Sequence, residues 1–165
     1  MAILYIPVGI SGCGKSTFYS HLKGGVEKVC QDDIRRKMGD VSDQSKNFIV
    51  WKIATNKLKK FNQNDVDVYF DSTNLTLKAI KEVISNVTSD TEIKIILFND
   101  SEHWEECQKR VQADIENGKD RSRTFDVEVD GVPLQKVMSD KFIALKQNPK
   151  FWEFCKSRNI EVVEV

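Results

Sequence analysis

Apolar residues in this chain fall into two kinds of stretch, and the two alternate from end to end. Short continuous runs, "AILYIPV", "DVDVYF", "TEIKIILFN" and "NIEVVEV", read as strands buried on both faces, and Val26–Cys30 of "GGVEKVC" supplies another. Between them apolar positions recur every three or four residues, as they do on helices packed along one side. "KSTFYSHL" opens the first helix, and "QDDIRRKMG" gives a turn and a helical turn. A long helix is expected from Ser42 to Asn62, capped by Ser42 and Asp43, with Phe48, Trp51, Thr55, Leu58 and Phe61 along one stripe. "LTLKAIKEVISNV" places Leu75, Ala79, Val83 and Val87 on one face. Ser101 is expected to cap "SEHWEECQKRVQADIEN", and Pro133 to open "PLQKVMSDKFIALKQ". The polar stretch "GKDRSRTFDVEVDG" between those two helices reads as a loop or a small excursion.

Strands alternating with helices predict an α/β fold, a doubly wound three-layer sandwich around a mostly parallel sheet of about four to five strands. In such sheets the site lies outside the carboxyl ends of the strands. The 165 residues allow a single domain over 1–165, with a lid at about 110–132. Lysine and arginine number 25 and aspartate and glutamate 25, so no global field draws the chain to nucleic acid, and any such binding must come from a local patch. No apolar run has the length of a membrane span, and the first residues read as a strand running into a glycine loop rather than a signal. Cys13, Cys30, Cys107 and Cys155 are scattered without a C-x-x-C pair, which argues against a metal cluster or a disulfide framework and suits free thiols in a reducing cytoplasm.

Three polar clusters fall at strand ends. The first is "GISGCGKST", in which Gly9, Gly14, Lys15 and Ser16 match G-x-x-x-x-G-K-[ST] between a strand and a helix. This is a P-loop. Its glycines let backbone N–H groups curl around phosphate oxygens, Lys15 adds a point charge, and Ser16 offers a hydroxyl to Mg²⁺. The cradle therefore comprises Gly9, Ser11, Gly12, Cys13, Gly14, Lys15, Ser16 and Thr17, with ATP and Mg²⁺ as the expected cofactors; Cys13 reads as a small residue that fits, not a nucleophile. The second cluster, "CQDDIRRK", sets Asp32 one turn from Arg35 and Asp33 one turn from Arg36. Either pair supplies a carboxylate to accept a hydroxyl proton and a cation to hold an acceptor. The third, "VYFDSTN", puts Asp71 past an apolar run, where an acid serves a Mg²⁺ shell or orients an arginine; Thr73 and Asn74 are expected both to bind substrate and to cap the next helix. Beyond these, Arg110 and Arg121 are the arginines expected to close over the nucleotide, in a segment that also carries Lys119 and Arg123. His21 and His103 have no ligand spacing, and Lys57, Lys59 and Lys60 read as a solvated helix end.

In this order, "GISGCGKST", "DDIR", "DSTN", "CQKR" and "VPLQKVM" resemble the kinase domain of the polynucleotide 5′-hydroxyl kinases, especially the bacteriophage and bacterial end-healing enzymes, over about residues 2–145. The resemblance implies a P-loop NTPase-type sandwich with a helical or loop lid, and an ATP-dependent kinase acting on the 5′-hydroxyl end of RNA or DNA. It implies Asp32 as general base, Arg35 on the neighbouring phosphate of the acceptor, Lys15 and Ser16 on ATP and Mg²⁺, Asp71 on the acceptor side and a lid arginine on the donor phosphates. It favours Asp32 with Arg35 over the other pair. Two further readings stand beside it. One is a nucleoside, nucleotide or metabolite kinase whose acceptor pocket Phe48 and Trp51 could line. The other is an ATP-binding module without useful turnover, against which an intact Asp32 and Arg35 argue.

Overall fold

In the computed structural model, which describes residues 1–165, the continuous apolar runs form strands and the periodic stretches form helices. In chain order these are β1 (Ile3–Val8), α1 (Lys15–Ser20), β2 (Val26–Cys30), α2 (Gln31–Met38), α3 (Asn47–Gln63), β3 (Asp67–Asp71), α4 (Leu77–Ile84), β4 (Glu92–Leu97) and α5 (Trp104–Glu116). After them come β5 (Glu128–Val129), β6 (Val132–Pro133), α6 (Leu134–Gln147), α7 (Pro149–Ser157) and β7 (Glu161–Glu164). The main sheet has the order β2-β3-β1-β4-β7 and is parallel throughout. Leu4 of β1 pairs with Val68 on one side and Ile93 on the other. β1 is thus central, with Ile6 and Val8 fully buried, and the segment leaving it emerges where the strand order reverses.

Several local expectations are corrected. The long helix begins at Asn47, not Ser42. Asp40 Oδ1 accepts from the Ser42 amide at 2.8 Å and Asp43 Oδ1 from the Ser45 amide at 2.9 Å, and these side-chain turns take up the backbone before a helix can start. Ser101 caps nothing: it lies fully buried in a 3₁₀ turn (Asn99–Glu102). Thr76, rather than Thr73 or Asn74, caps α4 by accepting from the Ala79 amide at 3.1 Å. The polar stretch ends in the first strand and turn of the hairpin β5–β6, turned by Asp130 and Gly131 in the left-handed region. α7 is absent from the sequence reading, although its signals are present, with Asn148 accepting from the Lys150 amide and Pro149 in the first turn. No helix is long and apolar enough to cross a membrane.

Asn74 is the largest correction. Its side chain is buried under the sheet end, 3% exposed, and does not reach the cleft. Its amide donates to the carbonyls of Pro7 at 2.8 Å, Ser72 at 3.2 Å and Phe70 at 3.3 Å, tying the end of β1 to the end of β3. Its φ of 49° is one that asparagine tolerates better than most residues. Asn74→Ala is expected to lower stability by about 2–3 kcal/mol, combining unmade buried hydrogen bonds with left-handed strain. Asn74→Gly, free of the strain, should recover about 1 kcal/mol of that loss. Urea unfolding of the two variants checks this, and an alanine variant within about 0.5 kcal/mol of the parent refutes the latch.

Candidate active site

An open cleft of about 1540 Å³ lies at the carboxyl ends of the strands. The segment after β1 forms its floor. Gly12 has φ +83°, and a Cβ there would collide with the Cys107 carbonyl, so the turn needs glycine. Cys13 is buried and packs where a side chain on Gly9 would stand. The Lys15 ammonium donates to the carbonyls of Gly9 at 2.9 Å and Ile10 at 2.8 Å, which holds it at the mouth of the loop. Four other segments fix the loop from outside. The Gly9 amide donates to the Thr73 carbonyl at 3.1 Å, and the Ile10 amide to Ser101 Oγ at 3.1 Å. Gln135 Nε2 donates to the Ser11 carbonyl at 3.2 Å, and Arg110 Nη1 to the Gly12 carbonyl at 3.2 Å. Tyr69 Oη donates to the Lys15 carbonyl at 2.9 Å, and burial raises its phenol far above the ordinary range, so it stays a neutral donor.

One wall of the cleft is the first turn of α2. Arg35 Nη1 donates to Asp32 Oδ1 at 2.9 Å and Nη2 to Asn47 Oδ1 at 2.8 Å. The Arg35 side chain is 11% exposed, and its Nε is a buried donor without a partner. Asp32 is 46% exposed, and its Oδ2 makes no ion pair. Asp33 differs: Arg36 Nη1 lies 2.6 Å from its Oδ1 and Lys28 Nζ 3.5 Å from its Oδ2. Two cations occupy Asp33, whereas Asp32 keeps one oxygen free for a proton.

Asp71 sits between the wall and the loop. Burial raises its carboxyl above the usual value, and the nearby positive charges of Lys15 and Lys28 offset only part of that. Beside it, burial and the Asp71 charge push the Cys30 thiol up to about 12, so it is no thiolate nucleophile. The Ser16 hydroxyl and the Asp71 carboxylate are hard oxygen donors that both line the cleft. That small set suits Mg²⁺, which keeps several waters and shares phosphate oxygens. When bound, the ion would neutralise charge on the phosphates being transferred.

The opposite wall is α5 and the lid. Arg110 Nη1 pairs with Asp100 Oδ2 at 2.9 Å, and this hydrogen bond raises its already high pKa. Arg121 pairs with Asp114, and Lys119 Nζ lies 3.1 Å from the same carboxylate. One cleft therefore gathers Ser11 through Thr17, Asp32, Arg35, Asp71, Thr73, Arg110 and Arg121. Gly9, packed beneath the loop, and Asn74 do not line it. Nor do Phe48, which is 80% exposed, and Trp51, whose ring packs edge-on against Phe70. Sequence reasoning passed over Tyr69, Gln135 and Lys28. Only Gln135 left a signal, a polar residue on an otherwise buried helix face.

A glycine loop on the central strand of this parallel sheet, with acids and arginines facing it, defines a P-loop kinase-type domain. The chain belongs to the AAA domain family, whose model matches residues 4–130. Among solved structures, a chain of the Pnkp1/Rnl/Hen1 complex is 26% identical over 57% of this chain, with a TM-score of 0.50. The present chain spans only 35% of that one. A proposed kinase from Chloroflexus aurantiacus aligns over 99% of this chain and 88% of its own at 11% identity and a TM-score of 0.56, a likeness of fold alone. A gluconokinase from Sinorhizobium meliloti aligns over 92% of this chain and 96% of its own at 15% identity and a TM-score of 0.41, too distant to carry a substrate across. No curated protein is significantly similar in sequence.

The raised Asp71 carboxyl has a consequence for stability. The folded protein binds this proton more readily than the unfolded chain does. The stability linked to Asp71 is therefore fully present below the ordinary carboxylate pKa and lost as pH rises through the raised value. By pH 7 the contribution of this group to stability has fallen. Asp71→Asn should therefore be more stable than the parent at pH 7. The gain should vanish below about pH 4, where both states are protonated. Urea midpoints of the two proteins at both pH values check it, and a destabilised variant at pH 7 overturns it.

Proposed function

We propose that the protein transfers the γ-phosphate of ATP, with Mg²⁺, to the 5′-hydroxyl end of a polynucleotide. The observation that carries the mechanism is the asymmetry of the two acids on α2. Asp32 faces the cleft with Oδ2 free, while Asp33 is held between Arg36 and Lys28. In the reaction Asp32 Oδ2 accepts the proton of the 5′-hydroxyl. The hydroxyl oxygen bonds to the γ-phosphorus, the bond from that phosphorus to the β–γ bridging oxygen breaks, and ADP leaves. Lys15 and the loop amides hold the donor phosphates, and the lid cations Arg110 and Arg121 face them across the cleft. Arg35 orients Asp32, and it gains a phosphate of the acceptor strand by exchanging the Asn47 oxygen for it.

The choice of a polynucleotide end rests on the order of the motifs and on the likeness to a chain of the Pnkp1/Rnl/Hen1 complex. It is supported by the openness of the acceptor side, since neither Phe48 nor Trp51 walls off a pocket for a single metabolite.

Labelled γ-phosphate should pass from ATP-Mg²⁺ to 5′-hydroxyl oligonucleotides or 3′-mononucleotides. Label found only on nucleosides or 5′-mononucleotides would give the site to a small-molecule kinase. Asp32→Asn should reduce transfer by about 10²–10⁴ with ATP binding near normal. Arg35→Ala should raise the acceptor KM more than the ATP KM. An Asp32→Asn protein that keeps most of its rate would remove Asp32 from the role.

A further inference from the structure

The second pair on α2 makes a connection that the transfer step does not use. Arg36 Nη1 donates to Asp33 Oδ1 at 2.6 Å. Its other face grips Asp120 twice, Nε on Oδ2 at 3.0 Å and Nη2 on the backbone carbonyl. Asp120 stands on the far side of the cleft, in the lid segment that follows α5. One other polar contact joins the lid to this wall, the Arg123 amide to Ser42 Oγ at 3.5 Å.

We infer that Arg36 is a positioning residue that latches the lid over the phosphate loop. Asp120 stands between Lys119 and Arg121 in the chain. A guanidinium holding both its carboxylate and its carbonyl fixes the backbone there, and with it the approach of those two cations to the donor site. Two glycines in the left-handed region bracket the segment, Gly118 at φ +85° and Gly131 at φ +78°, each with open space around it. On its own side of the cleft the segment is held by Asp114 of α5, which pairs with Lys119 and Arg121, and Arg36 ties it to the opposite wall. Asp33, held in turn by Lys28, aims the guanidinium. A single exposed ion pair contributes little, but a forked arginine with a neighbouring acid to orient it is the arrangement that does contribute. The latch acts on the donor side and does not depend on which hydroxyl is phosphorylated.

It also separates two effects that activity alone would merge. Asp33→Asn would lower transfer through the lid, without Asp33 touching the reacting atoms.

The test is limited trypsin digestion of the folded, full chain, following cleavage after Arg123, whose scissile bond is the same in every variant. Arg36→Ala should speed that cleavage about fivefold and weaken binding of a fluorescent ATP analogue several-fold. Asp120→Ala should have a smaller effect, because the carbonyl grip survives. The double variant should be no faster than Arg36→Ala alone. Arg36→Lys should not restore protection, since a point charge cannot fork. Unchanged cleavage in Arg36→Ala, or additive effects of the two substitutions, would overturn the latch. So would faster cleavage at the helical Lys52 and Lys141 as well, because that is the pattern of general unfolding. Neither readout involves an acceptor, so failure here leaves the proposed reaction intact, and failure of the acceptor assay leaves the latch intact.

Discussion

The phosphate loop holds its shape because other parts of the chain hold it. Its own hydrogen bonds are few, and α1 behind it is only six residues long. What fixes it are single polar contacts from distant segments: the Thr73 carbonyl, Ser101 Oγ, Gln135 Nε2 and the Arg110 guanidinium. Each satisfies a loop donor or acceptor that would otherwise be left without a partner beside the apolar core. The backbone of a loop held this way is fixed before an anion arrives, which is the condition under which oriented amides contribute most to stabilising charge. The cost falls on residues such as Gln135, fully buried with its Oε1 unpaired.

Around that fixed floor the cleft divides its charges by location. The α2 wall carries two acid–arginine pairs on consecutive residues of one short helix. Their neighbours differentiate them: Asn47 completes the first pair and leaves a carboxylate oxygen open, while Lys28 and Asp120 close the second on itself. The opposite wall carries cations held by Asp100 and Asp114. A chain of balanced overall charge thus concentrates opposite signs where they act, and the overall charge says nothing about the cleft.

Patterning made most of the fold legible. The inner strands β1, β3 and β4 appear as apolar runs because they are largely buried, the edge strands β2 and β7 leave a weaker mark, and the G-x-x-x-x-G-K-S spacing marked the floor of the cleft outright. The errors in placing caps share one cause, the ambiguity of small polar side chains. Ser42, Asp43, Ser101, Thr73 and Asn74 all look like caps in sequence. Which of them caps a helix, makes a local turn or reaches under the sheet depends on what the fold brings alongside. Asn74 read as a substrate ligand and is a latch between strands; Ser101 read as a cap and is the acceptor for the Ile10 amide. Arg35 and Arg36 could not be told apart by spacing, because Asn47 and Asp120 lie far along the chain from both.

The position of β1 bears on how the molecule is made. It is synthesised before both of its partners, which pair with it through Val68 and Ile93. At ribosomal rates the second partner emerges on the order of ten seconds later. Through that interval "AILYIPV" has nothing to pair with on one side, and the nascent chain carries an uncovered strand edge of high β-propensity. The nucleotide cradle forms only once both flanking strands have arrived. A chain stalled before β4 would therefore present an aggregation-prone segment and no working loop.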